Sequence, residues 1–332
     1  MINRKIFKSV TVLFSLIIFS VNFLACSCQN DFLYDEKINE KQAGFAVNYI
    51  DVGHGDCFFV SFPDGKNLLI DNGEESKTNF AKIKAYLDGY GCDTIDYLIL
   101  THPDERHIGN TLSILENYSV GVCYIPYLVA PEFYPGYLKI VNKLKEKGVK
   151  TSVSQMGESF NSEDYFFCFL SPLEKDNLDS SYNSVNLIKD YTQRQLDDIS
   201  PITYLQYKDT RFVFCSDAGI TQEKIVLDYH ELGVYKVAYN DKVDLDSVDY
   251  LCISSHGVSS CSSQEFLNVL RPKNVIVSVG GNNVEFCPST AVLERLEKAN
   301  EDYNLFRTDV YGTVSVFVDE KGVDVTVAQR NK

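Results

Sequence analysis

Asp96-Tyr-Leu-Ile-Leu-Thr-His-Pro-Asp-Glu-Arg-His107 decides how this chain is read. Its first half is a short apolar run of strand character. Its second half sets His102, Asp104 and His107 where that run ends and a helical pattern begins. A buried strand ending in His and Asp aims several donors at one point. Nitrogen of borderline softness beside hard oxygen suits zinc or another divalent metal. Outward from this segment, four of the five histidines fall in three such stretches, the others being Asp51-Val-Gly-His-Gly-Asp56 and Ser254-Ser-His-Gly257. A chain so sparing with imidazole that places it at strand ends is building a metal or hydrolytic site. The fifth, His230, lies in Leu227-Asp-Tyr-His-Glu231 and reads as an exposed helix residue.

The chain has 332 residues, 45% of them hydrophobic, enough to bury a substantial core. It carries 31 Lys and Arg against 46 Asp and Glu, a net charge of -15 spread along its length. Strong nucleic-acid binding is not expected, because phosphate contacts need a basic stripe that the composition does not supply. Residues 1–25 are of different material: Arg4, Lys5 and Lys8 without an acid, then apolar Val10 to Leu24, then Ala25-Cys26. That order reads as a secretory signal peptide. Phe23-Leu24-Ala25-Cys26 resembles a bacterial lipobox with Phe23 in place of the usual Leu, which makes Cys26 the lipidation site; an uncleaved membrane anchor is the alternative. Both readings place the body outside the cytoplasm, anchored to the bacterial cell membrane, with residues 26–44 as a tether and 45–332 as one domain. Ten cysteines in an exported chain suggest disulfides. Cys123, Cys168, Cys215 and Cys252, however, sit inside apolar strand-like runs, where a thiol behaves as a small buried hydrophobe.

Strand-like runs at Phe45–Val52, Cys57–Phe62, Asn67–Ile70, Tyr97–Leu100 and Val120–Ile125 alternate with helical patterns at Thr78–Gly89, Gly109–Asn117 and Tyr137–Lys147. A second set follows: Thr203–Tyr207, Arg211–Cys215, Tyr250–Ile253 and Asn274–Val279, with helical patterns at Thr221–Leu232, Ser263–Leu270 and Ser289–Ala299. Each of the last three strand runs ends in ligand or tight-turn residues, as expected where strand termini line one cleft. Early hairpins followed by mixed strand and helix favour packed sheets with helices outside. The polar stretch Glu174–Ser200 reads as a surface insertion or a loop over a site.

Six motifs, in order, resemble the metallo-β-lactamase fold and in particular the hydrolase-like domain of the ComEC competence protein family. They are Tyr49-Ile-Asp-Val-Gly-His-Gly-Asp-Cys57 (family DVGQGDA), Gly65-Lys-Asn-Leu-Leu-Ile-Asp-Asn-Gly73 (IDGG), Leu98-Ile-Leu-Thr-His-Pro-Asp-Glu-Arg-His-Ile-Gly109 (LSHPDADHIGG), Phe212-Val-Phe-Cys-Ser-Asp217 (TGD), Val248-Asp-Tyr-Leu-Cys-Ile-Ser-Ser-His-Gly257 (GHHGS), and Leu270 to Gly280 with Asn282-Asn283 and Cys287-Pro288-Ser289. The likeness covers roughly residues 46 to 328. It implies an α+β, four-layer αββα sandwich with a metal cleft at one edge, and hydrolysis of a phosphodiester or related ester by metal-activated water. It also implies a small-molecule or nucleotide-type substrate. Carried over, His102, Asp104, His107, Asp217 and His256 fall on ligand positions and Asp71 on a supporting acidic one. Asp71, Asp217 and His256 form the catalytic set, with Asp71 or Asp217 orienting the water. Asp56 braces the site, and His54 stands in place of the family's Gln.

Three departures matter. Arg106 occupies the place of a ligand aspartate, and a guanidinium cannot coordinate a cation. Ser255 replaces the first His of GHHGS, and Cys287 replaces the His before Pro288, where a thiolate can still ligate zinc. One ion rather than two is therefore expected, with none as the limiting case. Asp217 is read either as a ligand or as a cap of the helix beginning near Ile220. Two functions from different classes follow: a metal-dependent hydrolase, or a catalytically impaired binding module in which Arg106 replaces the metal by pairing with Asp56, Asp71 or Asp217.

Overall fold

The computed structural model describes residues 44–128, 131, 134–173, 198–281, 283 and 286–328. The leader, Cys26, the tether up to residue 43 and nearly all of the Glu174–Ser200 stretch lie outside the described residues. Strands β1 (Phe45–Tyr49), β2 (Phe58–Ser61), β3 (Asn67–Ile70), β4 (Thr94–Ile99), β5 (Ser119–Ile125) and β6 (Lys150–Val153) build one sheet. Strands β7 (Ser159–Asn161), β8 (Tyr165–Phe169), β9 (Thr203–Tyr207), β10 (Thr210–Phe214), β11 (Tyr250–Cys252), β12 (Asn274–Val277) and β13 (Asn304–Arg307) build the second. The chain then returns to the first sheet as β14 (Val314–Asp319) and β15 (Gly322–Val327), which pair outward from β1. Both sheets mix antiparallel hairpins with a parallel run, β3 to β6 in one and β10 to β13 in the other.

Period-two alternation sorts the strand residues into layers, since neighbours along a strand face opposite sides of the sheet. Phe45, Val47, Tyr49, Phe58 and Val60 from the first sheet share a core with Phe167, Phe169, Phe212 and Phe214 from the second. Their neighbours Cys57, Phe59 and Leu69 face away and pack with Ile83, Leu87, Ile114 and Leu144 of the helices Lys77–Gly89, Thr111–Asn117 and Pro135–Glu146. On the other side, Cys168, Val213, Leu251 and Val275 meet Val226, Phe266, Leu267, Val292 and Leu296 of the helices Ile220–Glu231, Gln264–Leu270 and Thr290–Ala299. The result is the expected four-layer αββα sandwich.

The expected elements are present within a few residues, with one instructive difference. The helical pattern from Gly109 to Asn117 starts instead at Thr111, behind a separate four-residue helix, Glu105–Ile108, capped by the Asp104 carboxylate. Eight described cysteines are free and buried, as their apolar settings implied.

A candidate metal centre at the ends of the parallel strands

The site is assembled where β3, β4, β10, β11 and β12 end, the crevice that parallel strands leave at their carboxyl edge. From the first sheet, β4 runs into Thr101-His102, and the short helix after it carries His107; both imidazoles have 0% exposure. Asp71, just beyond β3, takes a left-handed backbone with φ 54°. Its carboxylate accepts from the Thr101 amide at 2.9 Å and the Thr101 hydroxyl at 2.6 Å, and it faces His107 Nδ1 at 3.0 Å. Gly55 lets the first glycine-rich loop pack on this helix, because a Cβ there would lie 2.0 Å from the Arg106 carbonyl oxygen.

From the second sheet, β10 turns through Ser216 at φ 46° to present Asp217, and β11 turns through Ser255 and His256 at φ 46° and 56°. Left-handed non-glycine residues cost about 1–3 kcal/mol each and persist only where the surroundings fix them. Here the Ser255 amide donates to the Ser216 carbonyl at 2.7 Å, tying one turn to the other. Glu223, fully buried on the helix Ile220–Glu231, accepts from the amides of Ser262 and Ser263 at 2.6 and 2.7 Å and from the Ser254 hydroxyl at 3.3 Å. It thereby closes the loop that carries His256.

These two sets of residues meet. His102 Nε2 and His107 Nε2 each lie 3.5 Å from Asp217 Oδ2, and His256 Nε2 lies 3.6 Å from Asp217 Oδ1. Donor atoms of His102, His107 and Asp217 all lie within 4.8 Å of one another. At 3.5 Å these contacts are too long for good hydrogen bonds. They match the spacing of ligands sharing an ion, since two donors about 2.1 Å from zinc at a tetrahedral angle stand about 3.4 Å apart.

The second ring nitrogens settle the fit. His256 Nδ1 faces the Ser278 carbonyl at 2.7 Å, and His107 Nδ1 faces Asp71, so both Nδ1 atoms must donate. Thr101 spends its own proton on Asp71, which leaves its oxygen to accept from His102 Nδ1 at 3.0 Å and from Ser216 Oγ at 2.8 Å. In the neutral imidazoles every Nε2 is then a lone pair aimed at the Asp217 carboxylate, a cluster of acceptors that calls for a cation. Partners of this kind on Nδ1 are what orient metal-bound histidines.

Without an ion, a proton does part of that work. Burial opposes a charge on His107, but the Asp217 and Asp71 carboxylates prevail and hold its pKa well above the ordinary value. Burial likewise opposes the Asp217 charge, yet the facing His107 and His256 keep that carboxyl well below its usual range. Burial takes His256 down to about 3 against the pull of Asp217, with help from His107, His54 and Arg106. Asp56 lies behind the imidazoles, 3.9 Å from His107 Nδ1 and 3.8 Å from His256 Nδ1, and burial pushes its pKa up to about 7.

Several expected site residues stand elsewhere. Asp104 is not among the converging groups: it caps the Glu105–Ile108 helix, accepting from the Arg106 amide at 2.8 Å, and grips the Arg106 guanidinium at 3.0–3.3 Å. Burial opposes its ionisation, but Arg106 draws its pKa down to about 2. Among the described residues Arg106 pairs with Asp104, not with Asp56, Asp71 or Asp217 as the binding-module reading expects. Asp71 is fully buried with both oxygens engaged by Thr101 and His107, an arrangement that orients His107. Asp217 does not cap the following helix, whose cap is Gly219 without a side-chain bond. Cys287 is buried in the core beside the second sheet and joins no group able to hold an ion among the described residues. His54 packs against His256 with ring centroids 4.3 Å apart and the ring planes tilted by 47°. His230 is half-buried and lies 3.4 Å from Asp246. Thr101, Ser278 and Glu223 were not expected; only the acid on the inward face of a helix offered a signal for Glu223.

Comparison with known proteins agrees with this architecture. Residues 50–182 match the family model of the metallo-beta-lactamase superfamily. The chain is 27% identical over 283 residues to the ComE operon protein 3 of Bacillus subtilis (strain 168), which covers 81% of this chain and only 32% of that protein. Among solved structures it is similar to CmlA, a diiron beta-hydroxylase from Streptomyces venezuelae, with a TM-score of 0.49, 16% identity, and coverage of 82% of this chain and 54% of that one. It is also similar to the metallo-beta-lactamase fold protein YhfI from Bacillus subtilis, with a TM-score of 0.48, 10% identity, and coverage of 86% and 100%. The family match over residues 50–182 and the αββα layering show the metallo-β-lactamase fold, and over most of its length the chain is similar to the ComE operon protein 3.

Proposed function

We propose that the protein is an extracytoplasmic, lipid-anchored, metal-dependent hydrolase acting on a phosphodiester or related ester of small-molecule or nucleotide type. The observation that carries this reading is the convergence of three Nε2 lone pairs on the Asp217 carboxylate in a buried pocket. His102, His107 and Asp217 would hold zinc or another divalent metal, three protein ligands being the number that leaves a position open for chemistry. Such an ion activates water and stabilises charge on the attacked group. Asp71 and Thr101 keep the two first-sheet imidazoles turned inward. His256, its Nδ1 proton committed to Ser278, presents Nε2 as an acceptor on the far oxygen of Asp217.

The anchoring part rests on the leader and Cys26. Among the described residues no helix is long and apolar enough to cross a membrane. Metal analysis with a phosphodiesterase screen on generic nitrophenyl phosphodiesters tests the whole reading. The expected result is bound metal and turnover abolished by chelation. Less than about a tenth of an equivalent of zinc, manganese or iron after supplementation would sink it.

A further inference from the structure

Asp217 is the residue on which both halves of the site converge, its Oδ2 facing His102 and His107 and its Oδ1 facing His256. It belongs to no strand or helix, since β10 ends at Phe214 and the next helix begins at Ile220. Its carboxylate must therefore be held in place by side-chain contacts. Two serines make them. Ser216 and Ser255 are 2% and 7% exposed, and both take a left-handed backbone with φ 46°. Glycine adopts that conformation without the steric penalty of a Cβ, so a side chain kept there needs a reason. Each hydroxyl supplies one. Ser216 Oγ donates to Thr101 Oγ1 at 2.8 Å, across to the first sheet. Ser255 Oγ donates to the Asp217 carbonyl at 3.2 Å and accepts from Cys261 Sγ at 3.5 Å. The Ser255 amide joins the two turns through the Ser216 carbonyl at 2.7 Å. Thr101 Oγ1 is thereby saturated, with one bond donated to Asp71 and two accepted, from His102 Nδ1 and Ser216. The turn that presents Asp217 is bonded to the same oxygen that orients His102.

Resting on the metal-dependent reading above, we infer that Ser216 and Ser255 are positioning residues. Their hydroxyls clasp the Asp217 turn between the two sheets and set its carboxylate against the imidazoles, at a backbone cost that glycine would avoid.

The full-length chain, solubilised and stripped with chelator, is titrated with zinc against a chelating dye and, without metal, unfolded in denaturant. Alanine and glycine at one position separate hydroxyl from backbone, because both lack the hydroxyl and only alanine keeps the Cβ. Ser216→Ala, Ser216→Gly and Ser255→Gly are each expected to bind zinc about tenfold more weakly than the wild type, as when an outer partner of a ligand is lost. Ser216→Gly is expected to unfold at a higher denaturant concentration than Ser216→Ala, so affinity follows the hydroxyl while stability follows the backbone. With cobalt(II) in place of zinc, the absorption bands of both glycine variants are expected to shift, since they report donor geometry. Zinc affinity within about threefold of the wild type in both glycine variants, cobalt bands that do not move, or a Ser216→Gly less stable than Ser216→Ala would each overturn the clasp while leaving the hydrolase reading standing. A wild type that binds no zinc, manganese or iron would instead overturn that reading itself. Should Ser216→Ala not fold, the two glycine variants still decide the question.

Discussion

The two sheets deliver their halves of the site by different means. The first sheet uses regular structure: a strand that runs straight into His102, and a capped helical turn that carries His107. The second uses strained turns, with Ser216, Ser255 and His256 all left-handed: the Ser255 amide donates to the Ser216 carbonyl, His256 Nδ1 donates to the Ser278 carbonyl, and Glu223 accepts from both ends of the loop that carries Ser255 and His256. Where secondary structure aims a ligand, the order comes from backbone hydrogen bonds shared with the fold. Where a turn aims it, buried polar partners must supply the order. The first half should therefore tolerate loss of a distant brace, and the second should not.

The sharpest way to break the comparison is to remove a ligand from each half. If the two halves share an ion, Asp217→Asn and His102→Gln should each weaken zinc binding by more than about 100-fold, beyond the usual cost of losing an outer partner. Competition against a chelating dye measures it; zinc affinity that survives either change would show that the halves do not act on one ion. Asp71→Asn comes next. Its NH2 would face either the Thr101 amide or His107 Nδ1, donor against donor; with the NH2 on the His107 side the imidazole turns, and affinity should fall about 10–100-fold with the fold retained. An unchanged affinity there would mean that His107 is fixed by something else.

The same contrast governs what the sequence discloses. Alternating apolar runs reveal the layers because burial on one face imposes period two, and Thr-His-Pro-Asp-Glu-Arg-His reveals the first half because its ligands lie on one continuous segment. Asp217 and His256 are visible as residues, but their role depends on positive φ at Ser216 and Ser255, which no serine announces. Asp104 is misread for a related reason. A carboxylate at the start of a helical turn serves equally as ligand or cap, and only the position of Arg106, two residues on, decides between them. Thr101 and Ser278 carry no signal at all, since their part in fixing the imidazole tautomers is a matter of contacts across the fold. The late strands β13 to β15 escape for yet another reason: β13 spans four residues and β15 is exposed over half its length.

Glu223 sharpens the comparison on the second side. It touches neither Asp217 nor His256, yet it fastens both ends of the loop between Ser254 and Ser263. Glu223→Gln sets one NH2 against one of the two amides, donor facing donor, which should cost about 1–3 kcal/mol of stability. If the loop is what holds His256 in place, zinc affinity should also drop about tenfold, as for other outer-shell losses. Denaturant unfolding and dye competition read the two effects separately. Lost stability with untouched zinc affinity would reduce Glu223 to a core residue and show that the turn holds itself.

The smallest expected effect is the pH dependence of the metal-free protein, and it follows from which half carries the proton. Between pH about 4 and 6.5 the folded state holds a proton on Asp56 that the unfolded chain lacks, while the unfolded chain holds one on His256 that the folded state lacks. The two nearly cancel, so stability should be flat there. Above about 6.5 the unfolded His107 loses its proton and the folded one keeps it. Stability should then fall as pH rises, by up to about 1.4 kcal/mol per pH unit for that one proton. Below about 4 the depressed Asp217 acts in the opposite sense, and its contribution is lost as pH falls. Zinc takes the place of the His107 proton, so saturating zinc should abolish or reverse the decline above neutrality. Denaturation midpoints between pH 5 and about 9, with and without zinc, measure both limbs; a metal-free midpoint that stays level to the alkaline end would show that His107 does not carry the proton that balances Asp217.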